Sequence, residues 1–349
     1  MVALPVSASA PAKAIFFGEH AVNRAQSAIA VAVGLRVTCT LEASMGGAYR
    51  FATGSQLQTA IRSEILELGA QVDVWRAARR YASLRELVGR DYFAPAKYVL
   101  AGLGDVLPDG LKITWTGEIP PSGGLGSGGA AFAALAVGIR QSLALESDRA
   151  AIAKLAWRGD LVAHGGIASG LDTATSVYGG AIRYSLNEGA VAIPSAPGLT
   201  LVIGDSGKPG ATALANAGVS AWLEQRPHRQ HHFTEIGLLA RLAEPALEAG
   251  DWARVGNLMN LNQLILEQIG VSTPDLRRLI EASLEAGALG AKLSGSGGGG
   301  IMLALVTPDR LEAVGAAIRG AGGAAIHAPV GVAGVQLEPS TVERLVNAV

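Results

Sequence analysis

The sequence predicts an α+β protein of two domains, and three observations support this class. Short segments rich in β-branched or aromatic residues alternate along the chain with longer segments of helical periodicity. The 349 residues suit two domains of about 100–200 residues each. The 46 glycines include three dense clusters, at 122–129, 165–170 and 295–300, a pattern that separates this chain from a low-complexity linker. A proline-containing turn at 194–197 gives the expected division into residues 1–195 and 196–349.

The first strands are predicted from their composition and from the residues that end them. Residues 14–17 and 28–41 are rich in β-branched or aromatic side chains, and the turn-prone stretch 23–27 separates them. Residues 112–118 alternate between polar and apolar before Pro120, which cannot continue the strand.

Two helices should follow the third strand. Residues 130–145 are rich in Ala and Leu and predict a buried helix. Ser147 and Asp148 are good capping residues for a second helix over 150–164, and Gly165 is a suitable residue to end it.

Beyond residue 165 the same criteria predict four more strands and five more helices. Thr273 followed by Pro274 is typical of a helix start. The predicted strands are 180–185, 201–204, 291–294 and 301–306, and the predicted helices are 214–224, 235–249, 252–269, 274–286 and 308–321.

Composition narrows the classes of function. The chain has 28 Lys plus Arg against 29 Asp plus Glu, so its overall charge does not predict binding to nucleic acid or to an anionic membrane. The apolar runs 28–33 and 130–139 are shorter than the roughly 18 residues that span a bilayer. Cys39 is the only cysteine, so no intramolecular disulfide is possible. We expect a cytoplasmic enzyme that acts on a small molecule and has no nucleic-acid or membrane partner.

The glycine cluster SGGLGSGG at 122–129 lies between a predicted strand and a predicted helix. Bare backbone N–H groups and the positive end of the helix dipole favour a phosphate at such a place. A tight turn that packs the helix against the strand is the alternative. The segment is not a Walker A loop, since GxxxxGK followed by Ser or Thr does not occur. A dinucleotide fingerprint is also a weak interpretation, because Glu146 and Asp148 follow a helix and not a strand.

Three ordered motifs resemble those of the GHMP small-molecule kinases, which include galactokinase, homoserine kinase, mevalonate kinase and phosphomevalonate kinase. They are PAKAIFFGEHAVN at 11–23, PPSGGLGSGGA at 120–130 and KLSGSGGGG at 292–300. Within that family the sequence is most similar to those of the mevalonate kinases. The similarity is clearest in HGGIASGLDTATSVYGGAIRY at 164–184 and GDSGKPGAT at 204–212. The resemblance extends from about residue 11 to residue 306.

The resemblance implies two mixed domains with an active cleft between them, and an activity that needs ATP and Mg²⁺. The implied reaction is phosphorylation of the primary 5-hydroxyl of mevalonate, which gives 5-phosphomevalonate and ADP for isoprenoid precursor synthesis. A homodimer is plausible for the family. Other substrates stay open: phosphomevalonate, the 3-hydroxyl of mevalonate or a sugar. A catalytically idle relative that binds a nucleotide or a metabolite is an alternative of another class.

Asp172 and Lys13 match the catalytic aspartate and its neighbouring lysine in this resemblance. Asp172 would orient or deprotonate the alcohol, and Lys13 would stabilise charge on the phosphoryl group in transfer. Taken alone, Asp172 would more often be a helix-capping residue, and Lys13 an exposed residue at a strand end.

The other implied site residues fall into three groups. Asp160 takes the place of a metal-binding glutamate, and Gly128 stands where a second serine is usual in the phosphate loop. The implied ATP-binding residues are Pro121, Ser122, Gly123, Gly124, Leu125, Gly126, Ser127, Gly128 and Gly129; the substrate-binding residues are Glu19, His20, Ser169, Thr212, Gly295, Ser296 and Gly297; the metal ligands are Ser127 and Asp160.

Several polar residues are assigned less specific roles. Lys208 is a candidate partner for a substrate carboxylate, with no position predicted for it. His228, His231 and His232 suggest a metal site but lack matching Cys or acidic spacing, so a solvated connection between helices is the better prediction. Cys39 is predicted to be a small core residue and not a nucleophile.

Overall fold

The computed structural model describes residues 4–120, 124–146, 148–210 and 212–339, with the side chains of 212–214 left out. These residues form two β-sheets covered by helices, so the predicted α+β class is confirmed. The strands are β1 Val6–Phe17, β2 Ala28–Ala43, β3 Tyr49–Thr53, β4 Gln56–Ala60, β5 Leu111–Gly117, β6 Ala181–Ser185, β7 Gly189–Ile193, β8 Leu201–Asp205, β9 Gly290–Ser294, β10 Ile301–Leu305, β11 Ala324–Ile326 and β12 Gln336–Glu338.

The helices separate into a group near the first sheet and a group near the second. They are α1 Arg62–Ala77, α2 Tyr81–Arg90, α3 Ala94–Ala101, α4 Ser127–Ser142, α5 Arg149–Ala163, α6 Leu171–Tyr178, α7 Thr212–Gln225, α8 His231–Ala249, α9 Trp252–Ile269, α10 Pro274–Glu285 and α11 Leu311–Gly320. In the described part of the chain, no helix combines the length and apolar character that crossing a membrane requires.

The first sheet has eight strands in the order β12-β1-β2-β5-β3-β4, with β6 beside β2 and β7 beside β6. Its pairings are antiparallel except for β3 with β5. Ala8, Ala10, Ala12 and Ala14 of β1 are fully buried and alternate along the strand, so they share one face. Small side chains there let α4 approach closely: a Cβ on its Gly138 would lie 3.7 Å from the Cβ of Ala8.

A glycine and a capping aspartate mark the starts of α4 and α5. Gly126 precedes α4 with a left-handed φ of 71°, so the helix starts three residues before the predicted position. Asp148 caps α5 as predicted, because its side chain accepts a hydrogen bond of 2.6 Å from the backbone N–H of Ala151.

The second sheet is antiparallel, in the order β11-β8-β10-β9. Its core continues into α10 and α11 through buried residues such as Leu279, Met302 and Ile318. Thr273 caps α10 by accepting from Leu276 N–H at 3.3 Å, and Pro274 takes the first helical position, as the sequence predicts.

The last described segment returns to the first sheet, which the sequence analysis does not predict. β12 pairs with β1, and Arg36 of β2 donates to the carbonyl oxygens of Ala333 and Gly334 at 2.9 and 2.8 Å. The division at residue 195 therefore stays a prediction, with residues 336–338 joined to the first sheet. The sequence analysis also misses α1 to α3, α6, β3, β4, β7 and β11, whose hydrophobic patterns are short or weak.

Candidate active site

A cavity of about 450 Å³ brings together the predicted residues from the three glycine-bearing motifs. Its walls come from β1, from the starts of α4 and α6, from α5 and from the turn after β9. The predicted residues that line it are Lys13, Glu19, His20, Gly124, Gly126, Ser127, Gly128, Gly129, Asp160, Ser169, Asp172, Gly295, Ser296 and Gly297.

Lys13 and Asp172 form an ion pair in the wall of this cavity. The Lys13 ammonium lies 3.2 Å from Oδ1 of Asp172, and the two side chains are 3% and 22% exposed. The backbone N–H of Lys13 donates to the carbonyl oxygen of Leu125 at 2.9 Å, so β1 is bonded directly to the glycine loop. The cation, the carboxylate and the loop therefore share one side of the molecule.

Two glycines of the loop allow the ion pair to lie against the beginning of α4. A Cβ on Gly126 would be 2.7 Å from Cγ of Lys13, and φ at Gly126 is 71°. A Cβ on Gly129 would be 2.9 Å from Cβ of Asp172. The ion pair therefore borders the positive end of a helix dipole, which is an arrangement suited to an anionic phosphate.

Asp172 lies in the first turn of α6, not in the loop before it. Gly170, with φ of 86°, is the residue at the helix N-cap, and Ser169 Oγ accepts from the backbone N–H of Leu171 at 3.2 Å. The capping role considered for Asp172 is thus wrong, since the cap lies two residues earlier and Asp172 faces Lys13.

Asp160 contributes a buried carboxylate to the same cavity. It is 3% exposed, and its Oδ1 makes no hydrogen bond in the described part of the chain. Nδ1 of His164 lies 3.1 Å from that oxygen, but it is hydrogen-bonded to the carbonyl oxygen of Asp160 at 3.0 Å. The buried carboxylate of Asp160 and the hydroxyl of Ser127 both line the cavity, and such oxygen ligands suit a hard cation such as Mg²⁺.

His164 was not predicted as a site residue. The negative charge of Asp160 raises its pKa to about 9, so the imidazole carries a positive charge at neutral pH. The spacing of four residues from Asp160 places both on one face of α5, and this spacing is the signal that the sequence offered.

Glu19 and His20 differ in how they meet the cavity. The Glu19 side chain is 0% exposed and is paired with Lys292 of β9. His20 has a left-handed φ of 60°, and its Nε2 is hydrogen-bonded to the carbonyl oxygen of Ser296 at 2.9 Å. Burial lowers the pKa of His20 to about 4, so its ring is neutral at pH 7.

The third glycine motif packs directly against the other two. Ser294 Oγ accepts from the backbone N–H of Ile15 at 2.9 Å and donates to its carbonyl oxygen at 3.1 Å. A Cβ on Gly124 would lie 3.3 Å from the carbonyl oxygen of Ser294. The motif thus joins the second sheet to both β1 and the glycine loop.

Some predicted residues lie elsewhere or outside the description. Pro121, Ser122 and Gly123 lie outside the described residues, and Thr212 begins α7 with its side chain outside them. Among the described residues that line the cavity, Lys208 is absent. Asn216, one turn into α7, lines the cavity and hydrogen-bonds to His20; the helical spacing from Thr212 was the signal for it.

A second cavity, of about 390 Å³, opens beside the first and is mainly apolar. Phe93, Trp115 and Phe132 contribute aromatic rings to it. Ser127, Gly128 and Ala163 line both cavities, so a ligand with an apolar head and a polar tail can extend across the start of α4. No local motif identifies these aromatic residues, because they come from three separate elements.

Two further predictions concern residues away from the cavity. The possible ligand atoms of His231, His232 and Glu235 lie within 4.8 Å of one another, but at the start of α8, where the positive helix dipole opposes a cation. The solvated connection thus stays the better interpretation. Cys39 is fully buried in β2, and burial raises the pKa of its thiol, as expected for a core residue.

Comparisons with known proteins give a consistent result. The family model described as GHMP kinases N terminal domain matches residues 91–180, and GHMP kinases C terminal matches residues 243–324. The mevalonate kinase of Thermococcus sibiricus is 32% identical over 346 residues, which cover 95% of this chain and 98% of the relative. That of Pyrococcus furiosus is also 32% identical, with coverages of 96% and 99%.

The fold is also similar to that of a solved enzyme. The crystal structure of L. major mevalonate kinase in complex with R-mevalonate superimposes with a TM-score of 0.71 at 27% identity. The superposition covers 95% of each chain.

Proposed function

The chain belongs to the GHMP kinase family, and on this premise we propose that it transfers the terminal phosphoryl group of ATP to the primary hydroxyl of mevalonate. The products are 5-phosphomevalonate and ADP. The identity to mevalonate kinases over almost the whole chain supports this substrate. The observation that carries the chemistry is the Lys13–Asp172 ion pair, 3.2 Å long, at the start of the helix that follows the glycine loop.

The transfer is a single displacement in which Asp172 and Lys13 have different roles. The substrate hydroxyl oxygen forms a bond to the terminal phosphorus as the bond from that phosphorus to the bridging oxygen of ADP breaks. Asp172 orients the hydroxyl and accepts its proton, while Lys13 offsets negative charge on the phosphoryl oxygens. Since the transition state is loose, positioning and charge supply most of the rate, and a modest base is sufficient.

ATP occupies both cavities in this proposal. Its phosphates lie against the backbone N–H groups at the start of α4, and its adenine lies in the apolar cavity beside Phe93, Trp115 and Phe132. The shared lining residues Ser127 and Gly128 mark the place where the two parts of the nucleotide join.

Asp160 and Ser127 are the residues that would hold Mg²⁺. When bound, the ion neutralises charge on the nucleotide phosphates. The fit rests on the buried carboxylate of Asp160, whose Oδ1 accepts no hydrogen bond within the described residues and has the His164 imidazole as its charged neighbour at 3.1 Å. Because residue 128 is glycine, the phosphate loop of this chain has one hydroxyl group fewer than the usual family pattern.

The alcohol binds on the side of the cavity formed by His20, Asn216 and the turn after β9. Phosphomevalonate is a weaker candidate, because among the described residues that line the cavity Lys13 is the only Lys or Arg. The other cationic group that lines the described cavity, His164, is already paired with Asp160, so a second phosphate group would find few of the partners that usually bind it.

An ADP-release assay with mevalonate, phosphomevalonate and several sugars tests the substrate. We expect ADP formation that depends on mevalonate and on Mg²⁺, and a product phosphorylated at the 5-oxygen by ³¹P NMR. If another alcohol gives faster ADP release, that alcohol and not mevalonate is the substrate. ATP binding without release for any alcohol would instead indicate the idle relative.

A further inference from the structure

A wholly buried ion pair connects the first motif to the third across the two sheets. Lys292 lies in β9, and its ammonium contacts the carboxylate of Glu19, which follows β1; both side chains are 0% exposed. The same ammonium donates to the carbonyl oxygen of Leu293 at 2.6 Å and lies 3.5 Å from that of Ile15. No step of the proposed reaction uses this pair.

Stability alone does not account for these two charges. Desolvation raises the pKa of Glu19 and lowers that of Lys292, because burial disfavours the charged form of each. Within the described residues, Oε2 of Glu19 has no hydrogen-bond partner. An apolar pair of similar volume would often give equal or greater stability at such a position. What the ion pair supplies is a defined arrangement of the two segments that carry it.

Both ends of the pair lead to residues that line the alcohol side of the cavity. His20 follows Glu19 directly, and Ser296 lies four residues after Lys292. Nε2 of His20 is hydrogen-bonded to the carbonyl oxygen of Ser296 at 2.9 Å, and Arg24 donates to the carbonyl oxygen of His20 at 2.8 Å. The left-handed φ of 60° at His20 is uncommon for a residue with a side chain, so neighbouring contacts must maintain it.

The strand that carries Lys13 has a second attachment to the third glycine motif, and this attachment lies nearer to the catalytic pair than to the alcohol side. Ser294 holds the backbone of Ile15 through two hydrogen bonds, two residues from Lys13 on the same strand. The Lys292 ammonium also approaches the Ile15 carbonyl oxygen, at 3.5 Å, but the two shorter bonds from Ser294 would remain without it. Loss of that ammonium should therefore displace the turn that carries Glu19 and His20 more than it displaces Lys13.

We propose that Lys292 is a positioning residue for the alcohol substrate: through Glu19 it holds His20 in the conformation that binds the alcohol. This inference rests on the proposed function, since it assigns the alcohol to the His20 side of the cavity. It predicts an effect on the KM for the alcohol that exceeds the effect on the KM for ATP.

Two variants test the proposal: Lys292→Met, and the double variant Glu19→Gln with Lys292→Met. We expect each to raise the KM for mevalonate about tenfold, because small displacements of a binding group can cost as much as about 10²-fold. The KM for ATP should stay within about twofold of the wild-type value. The double variant leaves no buried charge uncompensated, so it keeps the test valid where the single variant does not fold.

Lys97→Met is the matched control. Lys97 is also buried, with a side chain 7% exposed and 2.7 Å from Asp91, but it lies in α3, away from the alcohol side. It should lower the melting temperature and leave the KM for mevalonate unchanged. An equal rise in that KM for Lys97→Met would overturn the proposal, since the effect would then reflect general destabilisation.

The double variant gives the decisive outcome. A wild-type KM for mevalonate in a folded double variant would show that the charges have no positioning role. Failure of the wild-type protein to use mevalonate defeats the proposed function instead, and the same variants are then assayed with the alcohol that the ADP-release assay identifies.

Discussion

The ammonium of Lys13 lies 3.2 Å from Oδ1 of Asp172, and the strand that carries Lys13 is hydrogen-bonded through its backbone to Leu125 of the glycine loop. One bond thus fixes the distance from the loop to the cation, and the ion pair fixes the distance from the cation to the carboxylate. A phosphate bound at the loop and an alcohol held by Asp172 would meet beside Lys13.

Asp172→Asn should lower kcat about 10²–10⁴-fold, the usual effect of losing a general base. Asn keeps the shape of the side chain but accepts a proton poorly. The KM for ATP should change little, because the phosphate loop is intact. Steady-state ADP release and nucleotide titration measure the two quantities, with Asp309→Asn, an exposed acid far along the chain, as the control. Turnover close to the wild-type value would remove Asp172 from its proposed role.

Gly129→Ala should reduce kcat much more than Gly128→Ala. A Cβ at 129 would lie 2.9 Å from Cβ of Asp172 and 3.2 Å from the backbone N of Thr173, so the start of α6 must move. A Cβ at 128 would lie 3.5 Å from the Phe132 ring, an ordinary contact distance. We expect a loss of up to about 10²-fold for the first variant, since small misplacements of a reacting group have effects of that size.

Kinetics of the two alanine variants under identical conditions measure this difference. A kcat near the wild-type value in both variants would contradict the close contact between Gly129 and Asp172. A comparable loss in Gly128→Ala would indicate that any added side chain at the start of α4 disturbs phosphate binding.

Gly128→Ser should lower the Mg²⁺ concentration that gives half-maximal activity. The backbone at 128 is not left-handed, and the nearest side-chain atom is 3.5 Å from an added Cβ, so a serine fits there. Its hydroxyl would add a hard oxygen to the cavity that Ser127 and Asp160 also line. Gly128→Ala carries the same Cβ without the hydroxyl and is the matched control. If both variants respond to Mg²⁺ alike, the hydroxyl is not a ligand.

His20 should make the folded state less stable as the pH falls from 6.5 toward 4. Burial lowers its folded pKa to about 4 from 6.5, so between these values the unfolded chain binds more protons. The contribution of His20 is fully present above pH 6.5. At pH 5 the loss is about 2 kcal/mol, from 1.36 kcal/mol for each pH unit of separation.

Urea unfolding at pH 7 and pH 5 measures this loss in the wild-type protein and in His20→Gln. Gln has no titratable group but keeps a hydrogen-bond donor toward Ser296. The variant should lose about 2 kcal/mol less than the wild type between the two pH values. Equal losses in both proteins would show that His20 does not titrate in this range.

Much of the fold could be predicted because its signals are local. Asp148 and Thr273 cap their helices where the sequence indicates, since a capping bond lies within four consecutive residues. The return of β12 to β1 has no such signal. Its partners are distant in sequence, and a three-residue strand carries too little hydrophobic pattern to specify a neighbour.

The candidate site divides in the same way. The sequence alone determined that a glycine loop lies between a strand and a helix, and its similarity to the family marked Lys13 and Asp172. Only the tertiary structure decided that these two groups form an ion pair, and that the buried carboxylate of Glu19, in the cavity wall, is paired with Lys292. The reason is physical: backbone preferences act over a few residues, whereas partners of buried charges are chosen by how two sheets pack together.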